Sequence, residues 1–457
     1  MAQFKEQGGV STMDPPAYKR WIASQMLKNY VSFSGTDKRR LKEEKKRVKE
    51  KSPHRVEYFH YVDDPYSHLA AQILQAFVAR YNIELSCYLV SEPPGDNAPE
   101  LDMLMTLSRY DAHQIADYYG LAFVQRSDPP DKQLSQAANA ILSAQDSANF
   151  IVCAAQVGQA LWTDDTKYIQ ALEKKYSSLA SNEVAEKIAM GNARRAQLKH
   201  YSGAMFYYAG EWYWGVDRLY HLETRLAELN ADRQPGQPLI APRPETPAGP
   251  LRDDGTLTLE FFPTLRSPYS SIVFDRTVAL AKATGVKLVL RPVLPMVMRG
   301  VPTTAIKGPY IFWDTGREAR VAGVPFGNIY DPVGEPVRLC CSLIPWATEQ
   351  GKAAELMSAF YDCAFVNGIN TNNTRGLRKV VEQAGLDWHE ARTRLGDPEG
   401  ERMLEENRLC LYEAGIWGTP SFRLLGANGT ELLALWGQDR LWRIGEEIQR
   451  QLRKGKT

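Results

Sequence analysis

The feature that most constrains the fold of this chain is a pattern that occurs twice. VEYFHYVDDPYSHLAAQILQAF begins at Val56, and LTLEFFPTLRSPYSSIVFDRTVAL begins at Leu257. Each is a run of β-type apolar residues, a short loop, the sequence x-Pro-Tyr-Ser, and then a helical pattern. Proline suits the first turn of a helix, because its missing N–H would have no partner there. The two segments also close alike. Trp214-Gly215-x-Asp217-Arg218-Leu219 matches Trp436-Gly437-x-Asp439-Arg440-Leu441. Matches at both ends, in the same order, point to an internal repeat. Between them, residues 231–254 (ADRQPGQPLIAPRPETPAGPLRDD) hold six prolines. That density resists helix and sheet interior and predicts an extended linker.

Each repeat reads as a β-strand, a helix, a long helical middle, further strands and a closing helix. In the second repeat the helical middle is predicted from about Pro345 to Glu406. This order predicts an α/β chain of two tandem domains, each with a helical insertion. The expected divisions are a charged helical appendage at 1–52, a first domain at 53–230, the linker at 231–254 and a second domain at 255–457. The appendage contains KRRLKEEKKRVKEK, Lys38 to Lys51. Its interleaved Glu43, Glu44 and Glu50 make a solvated helix a better reading than a phosphate-binding patch.

Composition narrows the class. A net charge of +1 gives no bulk attraction to nucleic acid or anionic membrane. No apolar run reaches membrane-spanning length, and the first residues show no secretory leader. The six cysteines include no C-x-x-C pair. A reducing, cytoplasmic setting is expected, with neither nucleic acid nor membrane as partner. The histidines and Asp63, Asp64 and His68 form no metal-ligand pattern.

Four segments of the second repeat resemble the DsbA-like branch of the thioredoxin superfamily. More narrowly, they resemble 2-hydroxychromene-2-carboxylate isomerase and the kappa-class glutathione transferases. They are Phe261 to Ser270, with S-P-Y-S where redox members have C-P-x-C; Leu290 to Phe326; Gly415 to Phe422; and Trp436 to Arg440. The resemblance implies two tandem thioredoxin-like (DsbA-like) domains. It also implies glutathione as cofactor, a small-molecule electrophile as substrate, and an intramolecular pseudo-dimer, since family members pair.

The resemblance then assigns roles. Ser267, just before a helix N-terminus, would hold the glutathione thiolate, whose stabilisation makes more nucleophile available. The plainer alternative is a helix cap. Thr419, ahead of a presumed cis Pro420, would offer its backbone to the cysteinyl part of glutathione. Gln438 and Asp439 fall where the family holds the γ-glutamyl end; the alternative for Asp439 is an N-cap. Lys307, Tyr310 and Arg317 would contact a substrate carboxylate or glutathione, or lie on a surface helix. One departure stands out. Where the family often has an asparagine for glutathione after the glycine aligned to Gly300, this chain has Val301. The first repeat departs further, with Asp64 for Ser267 and Ala204 for Pro420. It is expected to have lost the chemistry.

Three functions follow as expectations. The first is a glutathione-dependent isomerase or transferase in which the thiolate adds to the electrophile. Elimination then regenerates glutathione, or the adduct is released. The second is a binding or scaffold protein without turnover. The third is thiol–disulfide exchange, poorly supported because no cysteine sits at either x-Pro-Tyr-Ser site.

Overall fold

A computed structural model describes residues 14–93, 95–299, 301, 304 and 306–454. The chain divides into two compact units. One, the central unit, is Asp37–Pro244; the other, the C-terminal unit, takes the residues from Glu245 on together with those up to Thr36. The stretch read as one appendage over 1–52 therefore divides at Thr36. Helix α1 (Ala17–Val31) belongs to the C-terminal unit, and helix α2 (Phe33–Lys49) passes into the central one.

In the central unit the elements run β1 (His54–His60), α3 (Pro65–Arg80), β2 (Ile83–Leu89), α4 (Leu101–Ala116), α5 (Lys132–Ser143), α6 (Ser147–Trp162), α7 (Thr166–Tyr176), α8 (Ser181–Gln197), β3 (Met205–Tyr208), β4 (Glu211–Trp214) and α9 (Leu219–Glu228). The sheet order is β2-β1-β3-β4, with β1 and β2 parallel and the other pairs antiparallel. The middle strand β1 buries Val56, Tyr58 and Phe59 completely. Exposed Arg55 and half-buried Glu57 alternate with buried His54, Val56 and Tyr58, and Phe59 and His60 at the strand's end are buried too. Arg40 of α2 departs from the solvated-helix reading. Its guanidinium grips the buried Glu211 carboxylate at 2.6 and 2.9 Å.

The C-terminal unit runs β5 (Thr258–Phe262), α10 (Pro268–Thr284), β6 (Lys287–Leu290), α11 (Lys307–Ala322), α12 (Glu335–Glu349), α13 (Ala353–Tyr361), α14 (Thr374–Gln383), α15 (Trp388–Ala391), α16 (Pro398–Glu413), β7 (Ser421–Leu425), β8 (Glu431–Trp436) and α17 (Leu441–Lys454). Its sheet order is β6-β5-β7-β8, with β5 and β6 parallel and the rest antiparallel. Both sheets thus have the same order and the same strand senses. Phe261 of β5 stacks on Phe422 of β7 at 5.1 Å, and burying such a ring contributes about 1.5–3 kcal/mol. The helical middle begins earlier than the sequence suggests. Pro345 lies inside α12, where its missing N–H takes the helical donor from the Cys341 carbonyl.

Among the described residues no helix is long and apolar enough to cross a membrane.

Candidate functional site

In the C-terminal unit, strand pairing gathers three separate segments at one end of the sheet. Phe262, the last residue of β5, pairs with Ser421, the first of β7. Ser421 in turn pairs with Trp436, the last of β8. The loop after β5, the residues before β7 and the turn after β8 therefore meet. These carry Ser267, Thr419-Pro420 and Gln438-Asp439.

Ser267 is the N-cap of α10, and its Oγ accepts from the Ser270 N–H at 3.2 Å. Pro268 follows in the first turn. Among the described residues the Ser267 hydroxyl donates to no partner, so its proton is available beside the positive end of a helix. Ser270 is buried, and its Oγ accepts from the Thr264 N–H at 3.2 Å, tying the loop to the helix.

The Thr419–Pro420 peptide is cis, as the resemblance presumed. The Pro420 carbonyl accepts from the Gly437 N–H at 2.9 Å. Neither the N–H nor the carbonyl of Thr419 is hydrogen-bonded among the described residues. Gly418 is pressed against the Trp436 indole, so a Cβ there would lie 2.1 Å from the ring. Arg299 donates to the Trp417 carbonyl at 2.7 Å and joins the loop after β6 to this corner.

Gln438 is buried. Its amide donates to Glu318 Oε2 at 3.0 Å, while its Oε1 has no partner among the described residues. Burying an amide oxygen unpaired costs about 1–3 kcal/mol, so this oxygen marks a place where a donor belongs. Asp439 sits beside it in a short helical turn ahead of α17. Its carboxylate lies 3.8 Å from the buried Arg440 guanidinium.

Helix α11 braces the site from behind. Tyr269 Oη donates to Asp314 Oδ2 at 2.7 Å, and Arg317 donates to Asp314 Oδ1 at 2.8 Å. With Glu318 on Gln438, one buried face of α11 holds both the Ser267 helix and the turn after β8. Arg317 is therefore turned inward, and this face is not a surface. Asp314 and Glu318 escape a reading by composition, because acids at such spacing look solvated. The one available signal is their position among Phe312, Thr315 and Ala319 on a shared helical face.

Lys307 begins α11, two helical turns or about 10 Å from Asp314. Burial alone lowers its ammonium pKa below the usual lysine range, with no neighbouring charge contributing. Tyr310 is half-buried one turn on. Gly300 lies outside the described residues. Val301 is buried, its N–H given to the Met296 carbonyl at 3.0 Å, and its side chain is apolar.

The central unit carries the matching positions differently. Asp64 caps α3, accepting from the N–H groups of Tyr66 and Ser67. Burial raises its carboxyl to about 6 despite those bonds. Tyr66 Oη donates to Asp111 Oδ2 at 2.7 Å, its partner 45 residues on, the same separation and distance as Tyr269 to Asp314. The Ala204 carbonyl accepts from the Gly215 N–H at 2.6 Å, as that of Pro420 does from Gly437. Ala204 has φ of 52°, in the left-handed region.

Residues 258–449 match the family model of the DSBA-like thioredoxin domain, and that stretch is a domain of this class. Among solved structures, a 2-hydroxychromene-2-carboxylate isomerase aligns at 19% identity over 44% of this chain and 98% of its own, with a TM-score of 0.37. The cytosolic disulfide reductase DsbM from Pseudomonas aeruginosa aligns at 19% identity over 43% of this chain and 99% of its own, with a TM-score of 0.34. A structure of that reductase with GSH aligns at 17% identity over 44% and 100%, also at 0.34. No curated protein matches the sequence.

Proposed function

We propose that the C-terminal unit binds glutathione and that the chain is a glutathione-dependent isomerase or transferase of the 2-hydroxychromene-2-carboxylate isomerase type. The observation that carries this is a convergence of open bonding capacity. The Ser267 hydroxyl proton, the Thr419 backbone and the buried Gln438 Oε1 meet at one end of one sheet.

These groups fit the parts of glutathione. Ser267 donates to the sulfur, and the N-terminus of α10 favours its negative charge by about 0.3–2 kcal/mol. Thr419 pairs with the cysteinyl backbone as an added strand would. Gln438 Oε1 accepts from the γ-glutamyl ammonium, with Asp439 supplying charge beside it. Bound there, glutathione supplies a nucleophilic thiolate. Lys307 attracts an acidic group of the small electrophilic substrate, with Tyr310 alongside. Arg317 acts through Asp314, holding Tyr269 and so the start of α10. The setting is a reducing one, the cytoplasm.

We read the central unit as a second thioredoxin-like copy without this chemistry. The shared strand order, the matching Tyr–Asp bonds and the matching Gly–Asp–Arg turns support the duplication. With its carboxyl near 6, Asp64 is charged at pH 7 and would repel a thiolate.

Calorimetric titration with glutathione tests the main reading. The native protein binds, and Ser267→Ala and Gln438→Leu each weaken binding about tenfold or more. No binding by the native protein would end the reading, and unchanged affinity in both variants would move the site elsewhere.

A further inference from the structure

Helix α1 does not rest on the C-terminal unit as a surface helix would. Tyr30 meets Trp313 of α11 edge to face at 5.2 Å, and the Val31 carbonyl lies against Gly316. More telling is what α1 buries. Arg20 is 1% exposed and Ser24 is fully buried. A cation leaves water at a cost of several kcal/mol unless its hydrogen bonds are replaced. Here both terminal nitrogens find partners, while Nε has none among the described residues. Arg20 Nη1 donates to the Asp331 carbonyl at 3.1 Å and also to the Val333 carbonyl, and Nη2 donates to Asp14. Ser24 Oγ accepts from the Asp331 N–H at 3.1 Å.

The far side of Asp331 faces the site. Its two carboxylate oxygens each accept from Arg266, Nε and Nη2 both at 3.1 Å. A bidentate pair of this kind fixes orientation as well as charge. Arg266 is the residue before Ser267, on the loop that also holds Thr264, whose N–H is held by Ser270 of α10. α1 therefore grips the backbone of Asp331, and the side chain of Asp331 grips the loop of the site.

We infer that α1 is part of the support of the Ser267 site, with Arg20, Ser24, Asp331 and Arg266 acting as positioning residues for the loop that carries the serine. The inference rests on the reading of Ser267 as the thiolate-holding residue, but the relay itself is measurable without any ligand. If α1 lets go, the carbonyls of Asp331 and Val333 lose their donor, the carboxylate loses its fixed direction, and the loop before α10 opens more often.

The test is amide hydrogen exchange on the full chain, comparing Arg20→Met, Arg20→Lys, Ser24→Ala and Asp331→Asn. The informative amides are those of Ser267, Ser270 and Ser271, which donate to Thr264 O, Ser267 Oγ and Ser267 O. Amides of the β7–β8 hairpin are the internal control. Arg20→Met and Asp331→Asn are expected to speed exchange at the three serines about ten- to a hundredfold and leave the hairpin unchanged. Arg20→Lys restores most of the protection. Ser24→Ala is the milder variant should Arg20→Met fail to fold, and gives a smaller acceleration at the same amides. Unchanged serines, or equal acceleration in the hairpin, would overturn the relay. Glutathione titration of the same variants separates the two ideas. A native protein that binds no glutathione removes the thiolate reading, while the exchange data still decide the relay.

Discussion

A hydroxyl caps the helix after β5 and a carboxylate caps the helix after β1, and the difference decides what each helix end can hold. At Ser267 the N-terminal field of α10 meets a neutral donor; at Asp64 the field of α3 is already met by charge. A thiol placed at Ser267 should register that field directly. All six native thiols are raised by burial above their ordinary values, Cys153 and Cys363 to about 11 and Cys341 to about 12. The thiol of Ser267→Cys is therefore expected to titrate alone near neutrality, below the ~8.5 of a free cysteine. Thiolate absorbance against pH measures this, and a value above 9 would show that α10 gives no help to an anion. Capping is local chemistry, so Ser267, Pro268, Asp64 and Pro65 could be placed from sequence. Gln438 could be placed too, but not its orphaned Oε1, which exists only because Glu318 takes the amide end.

At the scale of elements, the corner made by β7, β8 and the loop between Gly415 and Pro420 is packed without slack. Gly418→Ala drives a methyl into the Trp436 ring. Overpacking of this kind costs about 1–3 kcal/mol, and here it also displaces Thr419. Urea denaturation should show that loss, and glutathione affinity should fall more than stability alone explains; native affinity at reduced stability would detach the Thr419 backbone from binding. Helix α11 shows where sequence reading stops. Its charged residues look like an exposed face, and only packing against α1 and α10 makes Asp314, Arg317 and Glu318 interior. Periodicity also missed the true start of α12, because a proline in mid-helix reads as a boundary. Strands β1 and β5, in contrast, are plain in the sequence, since β-type apolar residues dominate each, Val56, Tyr58 and Phe59 in one and Leu259, Phe261 and Phe262 in the other.

At the scale of the whole molecule, the two units should respond differently to acid. In the central unit burial depresses His60 and His200 to about 3 and His68 to about 4, well below the usual 6.5. The unfolded chain takes up these protons below pH ~6.5 and the folded unit does not. Their stabilisation is present above that pH and is lost as pH falls toward 4. Asp64 acts in the opposite sense: with its folded value raised to about 6, it favours folding as pH drops from 6 toward 3.8. Among these four groups the three imidazoles outweigh Asp64, and together they are expected to cost the central unit about 4 kcal/mol between pH 7 and pH 5. Urea midpoints read by amide exchange in β1 and β3 would show this, and His200→Gln should remove nearly half of the dependence, about 2 kcal/mol. A flat profile would mean that these imidazoles are hydrated. The repeat of strand order could be expected from the doubled motifs. The division of the N-terminal residues between units could not, because it depends on a contact between Arg20 and Asp331, 311 residues apart. That separation has a consequence for synthesis. Asp37–Pro244 is a continuous stretch and can fold as it leaves the ribosome, whereas α1 emerges ahead of it and finds Asp331 only about 15–60 s later at ordinary elongation rates. Until then Arg20 and Ser24 lack their partners at Asp331 and Val333, and a chaperone that holds nascent chains has that interval in which to engage this segment.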